Sequence, residues 1–196
     1  LCLEIATSES GGPLLPVSTY AAGKIGSEAF VSAYSHLYGI RALIFRFGNV
    51  IGARMTHGVI YDFIKKLDLN HNELLIRGDG YQEKNYFLVE ECIDGMEWAF
   101  RNIVLTDKYP CDIFNLGTDT ITRVTKIAEI VKEEMGYDNA EIIIEGKERA
   151  WPGDQPKVHI TVNKIRELGW SSRFKSDYAV KIATQRMLGK TQWEIG

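Results

Sequence analysis

An α/β fold built on parallel strands is the class this sequence predicts, and three observations predict it. Short apolar runs alternate with amphipathic helical segments along the chain, the pattern of strands linked by helical crossovers. Residues 41–47 are apolar on both faces, at Ala42, Leu43, Ile44 and Phe45, as in a strand covered by helices on either side. Helical stretches stop at Gly39 and Gly136, the residue type that closes a helix in the left-handed conformation without steric cost.

The elements follow in order. Residues 1–19 read as a loop, because Thr-Ser-Glu-Ser-Gly-Gly-Pro is turn composition and Pro13 and Pro16 bar a helix. A helix spans 19–38, with Ala22, Ile25, Ala29, Phe30 and Ala33 at helical spacing. After the strand at 41–47, a second helix over 58–67 carries Val59, Ile60, Phe63, Ile64 and Leu67. Residues 74–77 form a short strand turned by Gly78-Asp79-Gly80, and 85–88 are extended and lead into a helix over 89–102. A strand at 112–116 precedes a helix with Thr122 as N-cap and Val124, Ile127, Ala128, Val131 and Met135 on one stripe. Residues 141–145 form a strand, Thr161 caps a short helix to residue 168, and 176–188 form the last helix.

With 196 residues, 45% of them hydrophobic, the chain can bury a core as one domain or as one and part of a second. A net charge of −3 and a pI near 5.9 leave no basic footprint, so nucleic acid is not the expected partner. No run approaches 18 apolar residues and the first fifteen lack a basic-then-apolar signal pattern, so no membrane association is expected. Cys2, Cys92 and Cys111 are odd in number and widely spaced, which fits neither a disulfide framework nor a metal knuckle and makes the reducing cytoplasm the expected location. His36, His57, His71 and His159 form no ligand cluster, and no metal is expected.

The chemistry lies in Tyr20 and Lys24, within Ser-Thr-Tyr-Ala-Ala-Gly-Lys. Four residues apart is about one helical turn, so phenol and ammonium share a face. A free tyrosine titrates near pH ~10 and is seldom anionic at neutral pH. A cation about 4 Å from a phenolate, at an effective dielectric of about 20, stabilises it by up to ~4 kcal/mol, with burial acting in the other direction. A tyrosine so placed can take a proton from a sugar or alcohol hydroxyl and return it.

The context extends the motif. Pro16-x-Ser18-x-Tyr20-x-x-x-Lys24, a helix, and a strand ending in Arg46-Phe47-Gly48-Asn49 followed by Gly52 resemble the extended short-chain dehydrogenase/reductases, in particular the NAD-dependent epimerase/dehydratase family and its UDP-glucose 4-epimerase type. Two later segments add to the likeness. Gly78-Asp-Gly80-Tyr-Gln82-Glu-Lys84-Asn85-Tyr86 resembles the family's Gly-x-Gly-x-Gln-x-Arg-Asp-Tyr, and Arg149-Ala-Trp-Pro-Gly153-Asp154 resembles its late Arg-x-x-x-Gly-Asp. Lys84 stands where the family has a diphosphate-binding arginine, keeping the charge without the planar fork, and Asn85 replaces the usual acid.

The resemblance implies roles. Tyr20 is the acid/base, and Lys24 is the cation beside it that also bonds the nicotinamide ribose. Phe47 and Gly48 line the nicotinamide side of bound NAD. Asn49, Gly58, Val59, Arg77, Lys84, Arg149 and Asp154 contact the nucleotide-sugar, Asn49, Lys84 and Arg149 at the diphosphate and Asp154 at the ribose. His57 reads as a capping or surface residue. The implied reaction is epimerisation of a nucleotide-sugar, a UDP-sugar by the same likeness, by hydride transfer at C4 through a 4-keto intermediate. The alternatives are a 4,6-dehydratase, decarboxylase or reductase on the same scaffold, or a non-catalytic nucleotide-sugar-binding fragment. No Gly-x-Gly-x-x-Gly turn opens a helix here, and a dinucleotide pyrophosphate needs that turn. The likeness covers about the C-terminal two-thirds of a family member, so a truncated chain is expected, with residues 1–50 the remnant of the NAD-binding Rossmann domain and catalytic helix. Residues 51–196 are then mainly the smaller, mixed α/β nucleotide-sugar-binding domain, with segments returning to the Rossmann-like parallel sheet. Such a piece is expected to hold NAD weakly, to leave strand 41–47 with an open apolar edge, and to pair through its first helix as a homodimer.

Overall fold

A computed structural model describes residues 7–12, 14–147 and 155–190. It shows a mixed α/β architecture with four parallel strand pairs among the described residues. The first helix, α1 (Thr19–Tyr38), begins where Ser18 Oγ accepts a hydrogen bond from the Ala21 amide at 3.1 Å and ends at Gly39, whose φ is 67°. Strand β1 (Ala42–Phe47) follows, then β2 (Asn49–Ile51), α2 (Val59–Leu69), β3 (Glu73–Ile76), β4 (Glu83–Lys84), β5 (Tyr86–Leu88) and α3 (Val89–Asn102). Beyond them come β6 (Cys111–Leu116), β7 (Thr122–Arg123), α4 (Val124–Met135), β8 (Glu141–Ile144), β9 (Lys157–Val158), α5 (Asn163–Glu167) and α6 (Ser176–Met187).

Strand β1 runs parallel to β6 in the register Ala42↔Cys111 to Phe47↔Leu116, β2 parallel to β5, and β3 parallel to β8. A small three-stranded sheet has β4 in the middle, antiparallel to β7 and parallel to β9. As expected, the far edge of β1 has no strand against it among the described residues.

Two apolar clusters form the interior. One gathers α2, β3, α4 and α6 around Ile60, Leu67, Leu74, Ile127 and Val180. The other gathers α3, α5, β1 and β6 around Phe87, Phe114, Leu116, Ile165 and Trp170. Strand β5 lies between them: Tyr86 and Leu88 belong to the first cluster and Phe87 to the second, as alternation along a strand requires. The same alternation orders the layers around β1. Phe45 joins the α3/α5 cluster, while its neighbour Arg46 grips Glu28 of α1, so α1 covers the opposite face.

Three sequence readings are corrected. The α1 positions Ala22, Phe30 and Ala33 do not face a core. Only Ser35 of this helix is buried, and Phe30 is 70% exposed. Helical spacing says which residues share a face, not whether anything covers that face. Thr122 is not a helix cap: it lies in β7, and its hydroxyl reaches Ser176 Oγ and Asp177 Oδ1, both at 2.6 Å, so a tertiary bond replaces the local one. Thr161 precedes α5 without capping it in the usual sense. Val162 is the N-cap, while the Thr161 hydroxyl accepts from the Asn163 amide at 3.3 Å. Among the described residues no helix is long and apolar enough to cross a membrane.

Candidate active site and nucleotide cavity

Tyr20 and Lys24 occupy the first two turns of α1. The Tyr20 side chain is 75% exposed, and the Lys24 ammonium lies 5.5 Å from its ring centroid, within cation–π range. Two contacts orient the helix. Near its middle, Glu28 takes the Arg46 fork, with Nε–Oε1 at 2.9 Å and Nη2–Oε2 at 2.7 Å, and Arg46 Nη1 donates to the Glu9 carbonyl at 3.1 Å. The Glu28 carboxylate, bonded and close, holds the Arg46 guanidinium still further in its charged form. Towards the helix C-terminus, Ser35 donates to the carbonyls of Ile40 and Pro110, the residue before β6.

These two contacts set α1 antiparallel to β1. At about 1.5 Å rise per residue, Lys24 and Tyr20 lie roughly 6 and 12 Å beyond Glu28, past the carboxyl end of the strand. That end carries Phe47, Gly48 and Asn49. Phe47 is 44% exposed, and the Gly48 amide bonds to the Leu116 carbonyl at 2.8 Å. A Cβ at Gly48 would stand 3.2 Å from the Asn85 carbonyl oxygen, so the bare backbone permits this close crossing. Tyr20, Lys24, Phe47 and Gly48 therefore lie toward the carboxyl end of β1, the end at which ligands bind parallel α/β sheets.

A second region is a cavity of about 510 Å³, within the ~300–1,000 Å³ usual for small-molecule sites. The start of α2 forms one wall through Gly58 and Val59. Gly58 has φ 99°, open only to glycine, and α2 has no side-chain cap there, leaving amide donors for a ligand. Arg77, just past β3, and Lys84 of β4 bring two cations to the same cavity, and Lys66 brings a third that is paired with Asp62 at 2.8 Å. Arg77 makes no ion pair among the described residues.

Four sequence-predicted contacts (Gly58, Val59, Arg77 and Lys84) thus share one cavity. Asn49 does not line it, but it is the register partner of Tyr86, which does; its Nδ2 donates to the Asn85 carbonyl at 3.4 Å. Tyr20, Lys24, Phe47 and Gly48 do not line it and lie toward the sheet end instead. Arg149 and Asp154 lie outside the described residues. His57 is exposed, as a surface residue would be, and also lines the cavity.

Sequence reasoning missed Gln82, Lys66 and Tyr86 as wall residues. It also missed the role of Asn85, which is 2% exposed. Its amide donates to the carbonyls of Thr118 and Thr120 at 2.9 and 3.0 Å, and its Oδ1 accepts from Ile160 N at 3.0 Å. An acid there could accept from Ile160 but could not donate to both carbonyls, so the Asn at this position serves the fold.

The chain is similar to known proteins along most of its length. The sequence profile of the NAD dependent epimerase/dehydratase family matches residues 4–117. A Methanocaldococcus jannaschii protein provisionally named a UDP-glucose 4-epimerase is 29% identical over 173 residues, covering 86% of this chain and 53% of that protein. A mouse dTDP-D-glucose 4,6-dehydratase is 27% identical over 88% of this chain and 48% of its own length. A crystal structure of UDP-galactose 4-epimerase superposes with a TM-score of 0.81 at 32% identity, over 98% of this chain and 60% of that one. The chain spans about half the length of these two curated relatives.

Proposed function

Because this chain belongs to the NAD-dependent epimerase/dehydratase family, we propose that it forms the catalytic-helix and substrate-binding part of a nucleotide-sugar 4-epimerase acting on a UDP-sugar. One observation carries the reading. Amide donors of α2, Arg77 and Lys84 converge on a single cavity, and that cavity connects through the Tyr86–Asn49 strand pair to the sheet end beyond which Tyr20 and Lys24 stand. Unpaired amides at a helix start and flanking cations suit a diphosphate.

Residues 1–50 then serve the cofactor and the acid/base, and 51–196 mainly the nucleotide-sugar. The second apolar cluster fits segments of the later part returning to the first sheet, since Leu43 and Phe45 pack there with Phe114, Leu116 and Ile165. The sheet end fits the nicotinamide part of NAD: Tyr20 and Lys24 offer donors on an open face, Phe47 a flat apolar surface, and Gly48 an unobstructed backbone. Bound there, NAD supplies hydride exchange with C4 of the sugar.

The chain's own residues do the rest. Tyr20 takes the proton from the sugar 4-hydroxyl and returns it. Lys24, one turn away with its ammonium 5.5 Å from the Tyr20 ring centroid, offers a donor to the ribose of the bound cofactor. The cavity and Asn49 hold the nucleotide end, which does not react, so that the oxidised sugar turns over without leaving. The similarity to a dTDP-D-glucose 4,6-dehydratase supports the sibling chemistry, which begins with the same proton removal, and product analysis separates the two.

The test is Tyr20→Phe in the longest natural chain that contains these residues. Removing a general acid/base of this kind costs about 10²–10⁴-fold in kcat. An unchanged rate of sugar interconversion would overturn the assignment.

A further inference from the structure

Arg46 holds the chain on both sides of Tyr20. It lies in β1 on the face that meets α1, and its side chain is 21% exposed. Nε donates to Glu28 Oε1 at 2.9 Å and to Oε2 at 3.2 Å, and Nη2 donates to Oε2 at 2.7 Å. Glu28 stands about two turns after Tyr20 on the same helix. The remaining nitrogen, Nη1, donates at 3.1 Å to the carbonyl of Glu9, in the segment that precedes the helix.

That segment is itself tied to the sheet. Asn115, the register partner of Arg46 on β6, donates its backbone N–H to Glu9 Oε1 at 2.8 Å and its Nδ2 to the Thr7 carbonyl at 3.0 Å. The same Nδ2 donates to the Thr161 carbonyl at 2.9 Å, and Asn115 is 2% exposed. Two neighbouring positions of the sheet therefore hold the chain before Tyr20, and one of them also holds it after. Little else fixes the helix near the tyrosine. Among the described residues the buried position of α1 is Ser35, at its far end, and the polar contact with another element nearest to Tyr20 is that of Glu28.

We infer that Arg46 is a positioning residue for Tyr20: its guanidinium, gripping Glu28 and the Glu9 carbonyl at once, sets where the phenol stands relative to the sheet end. The inference rests on the reading of Tyr20 as the acid/base. It gives the arginine a share in the rate and none in nucleotide affinity, since Arg46 does not line the cavity. A planar fork with donors on three nitrogens suits two acceptors in fixed directions, and the single ammonium of a lysine does not. Misplacing a reacting group by about 1 Å costs on the order of 10²-fold in rate.

Arg46→Lys, in the longest natural chain that contains these residues, tests it with two readouts. Amide hydrogen exchange should quicken about fivefold over residues 22–28, the effect of one hydrogen bond lost. Residues 33–38, held through Ser35, and strand β1 should keep their rates. The kcat should fall about 10- to 100-fold while KM for the nucleotide-sugar changes by less than about twofold. Should the lysine variant fail to fold, Glu28→Gln, which keeps the shape and one acceptor, is judged by the same two readouts. Exchange that rises equally along α1 and β1, or does not rise, overturns the inference, because the arginine would then serve the fold at large or nothing near Tyr20. A loss carried by KM alone overturns it too. If Tyr20→Phe is slow and Arg46→Lys is as fast as the unmutated enzyme, the positioning role falls and the acid/base stands. If Tyr20→Phe is itself as fast, the acid/base reading falls and this inference with it.

Discussion

Gly95→Ala places two opposing effects on one methyl group, and the structure says which wins. Gly95 lies inside α3, where alanine favours the helix by about 0.8–1.0 kcal/mol over glycine. A Cβ there would stand 2.8 Å from Trp170 Cζ2 and 3.0 Å from both Cε2 and Cη2. Carbon atoms prefer about 3.5–4.0 Å, so the indole or the helix must move by roughly half an ångström or more. The indole has little freedom: it is 5% exposed, packs with Phe87, Phe114 and Ile165, and donates Nε1–H to Asp94 Oδ2 at 2.8 Å. Overpacking of this kind costs about 1–3 kcal/mol, and a lost hydrogen bond adds about 1 kcal/mol. The balance is a net destabilisation of about 1–3 kcal/mol. For a chain of this size that is a fall of roughly 2–12 °C in Tm.

Gly23→Ala is the matched control. Gly23 also sits within a helix, but nothing lies within 4 Å of its added Cβ. Only the propensity gain remains, and the variant should gain up to about 1 kcal/mol. Urea titrations of both variants, followed by far-UV circular dichroism, measure the difference. A Gly95→Ala chain as stable as the unmutated one, or more so, would refute the argument that the glycine exists to seat the indole.

Two further outcomes are expected. Burial pushes the Glu91 carboxyl above its ordinary range, although its Oε1 accepts the amides of Arg173 and Phe174. The folded state then holds this proton at pH values where the unfolded chain has released it, so the contribution of Glu91 is full below the unfolded value near 4.5 and is lost as pH rises through the folded one. Glu91→Gln removes the titration, and its stability relative to the unmutated chain should improve between pH 4.5 and 7.5 in urea melts; a pH-independent difference would contradict this. Separately, Phe30, Tyr34, Leu37 and Tyr38 form a stripe on α1, each more than half exposed. A second copy of the chain is the proposed cover, so sedimentation should show a dimer that Tyr34→Glu dissociates, whereas a monomer at high concentration would exclude it.

How much of this was legible depended on how local the signal was. Helix α1 could be read to its ends because Ser18 and Gly39 act on their own neighbours. The strand pair β4–β9 could not. Lys157 and Val158 have no strand signature, and they are extended because Glu83 and Lys84, more than seventy positions earlier, offer an edge. The candidate site divides in the same way. Tyr20 and Lys24 are related by one helical turn and are visible as a pair, whereas the meeting of Gly58, Arg77 and Lys84 had to be supplied by resemblance. Gln82 and Lys66 stayed hidden because wall position follows from how β3, β4 and α2 dock, and nothing in their spacing records that. Asn85 looked like a weakened ligand position and is instead a buried three-way tie, a role visible only once Thr118, Thr120 and Ile160 surround it.

Strand β5 is three residues long and serves as a party wall. With Phe87 in one room and its two neighbours in the other, inserting or deleting a single residue just ahead of it would send each side chain through to the wrong tenant. Neither half of the interior can be rebuilt alone, and the two should therefore melt together, in one transition.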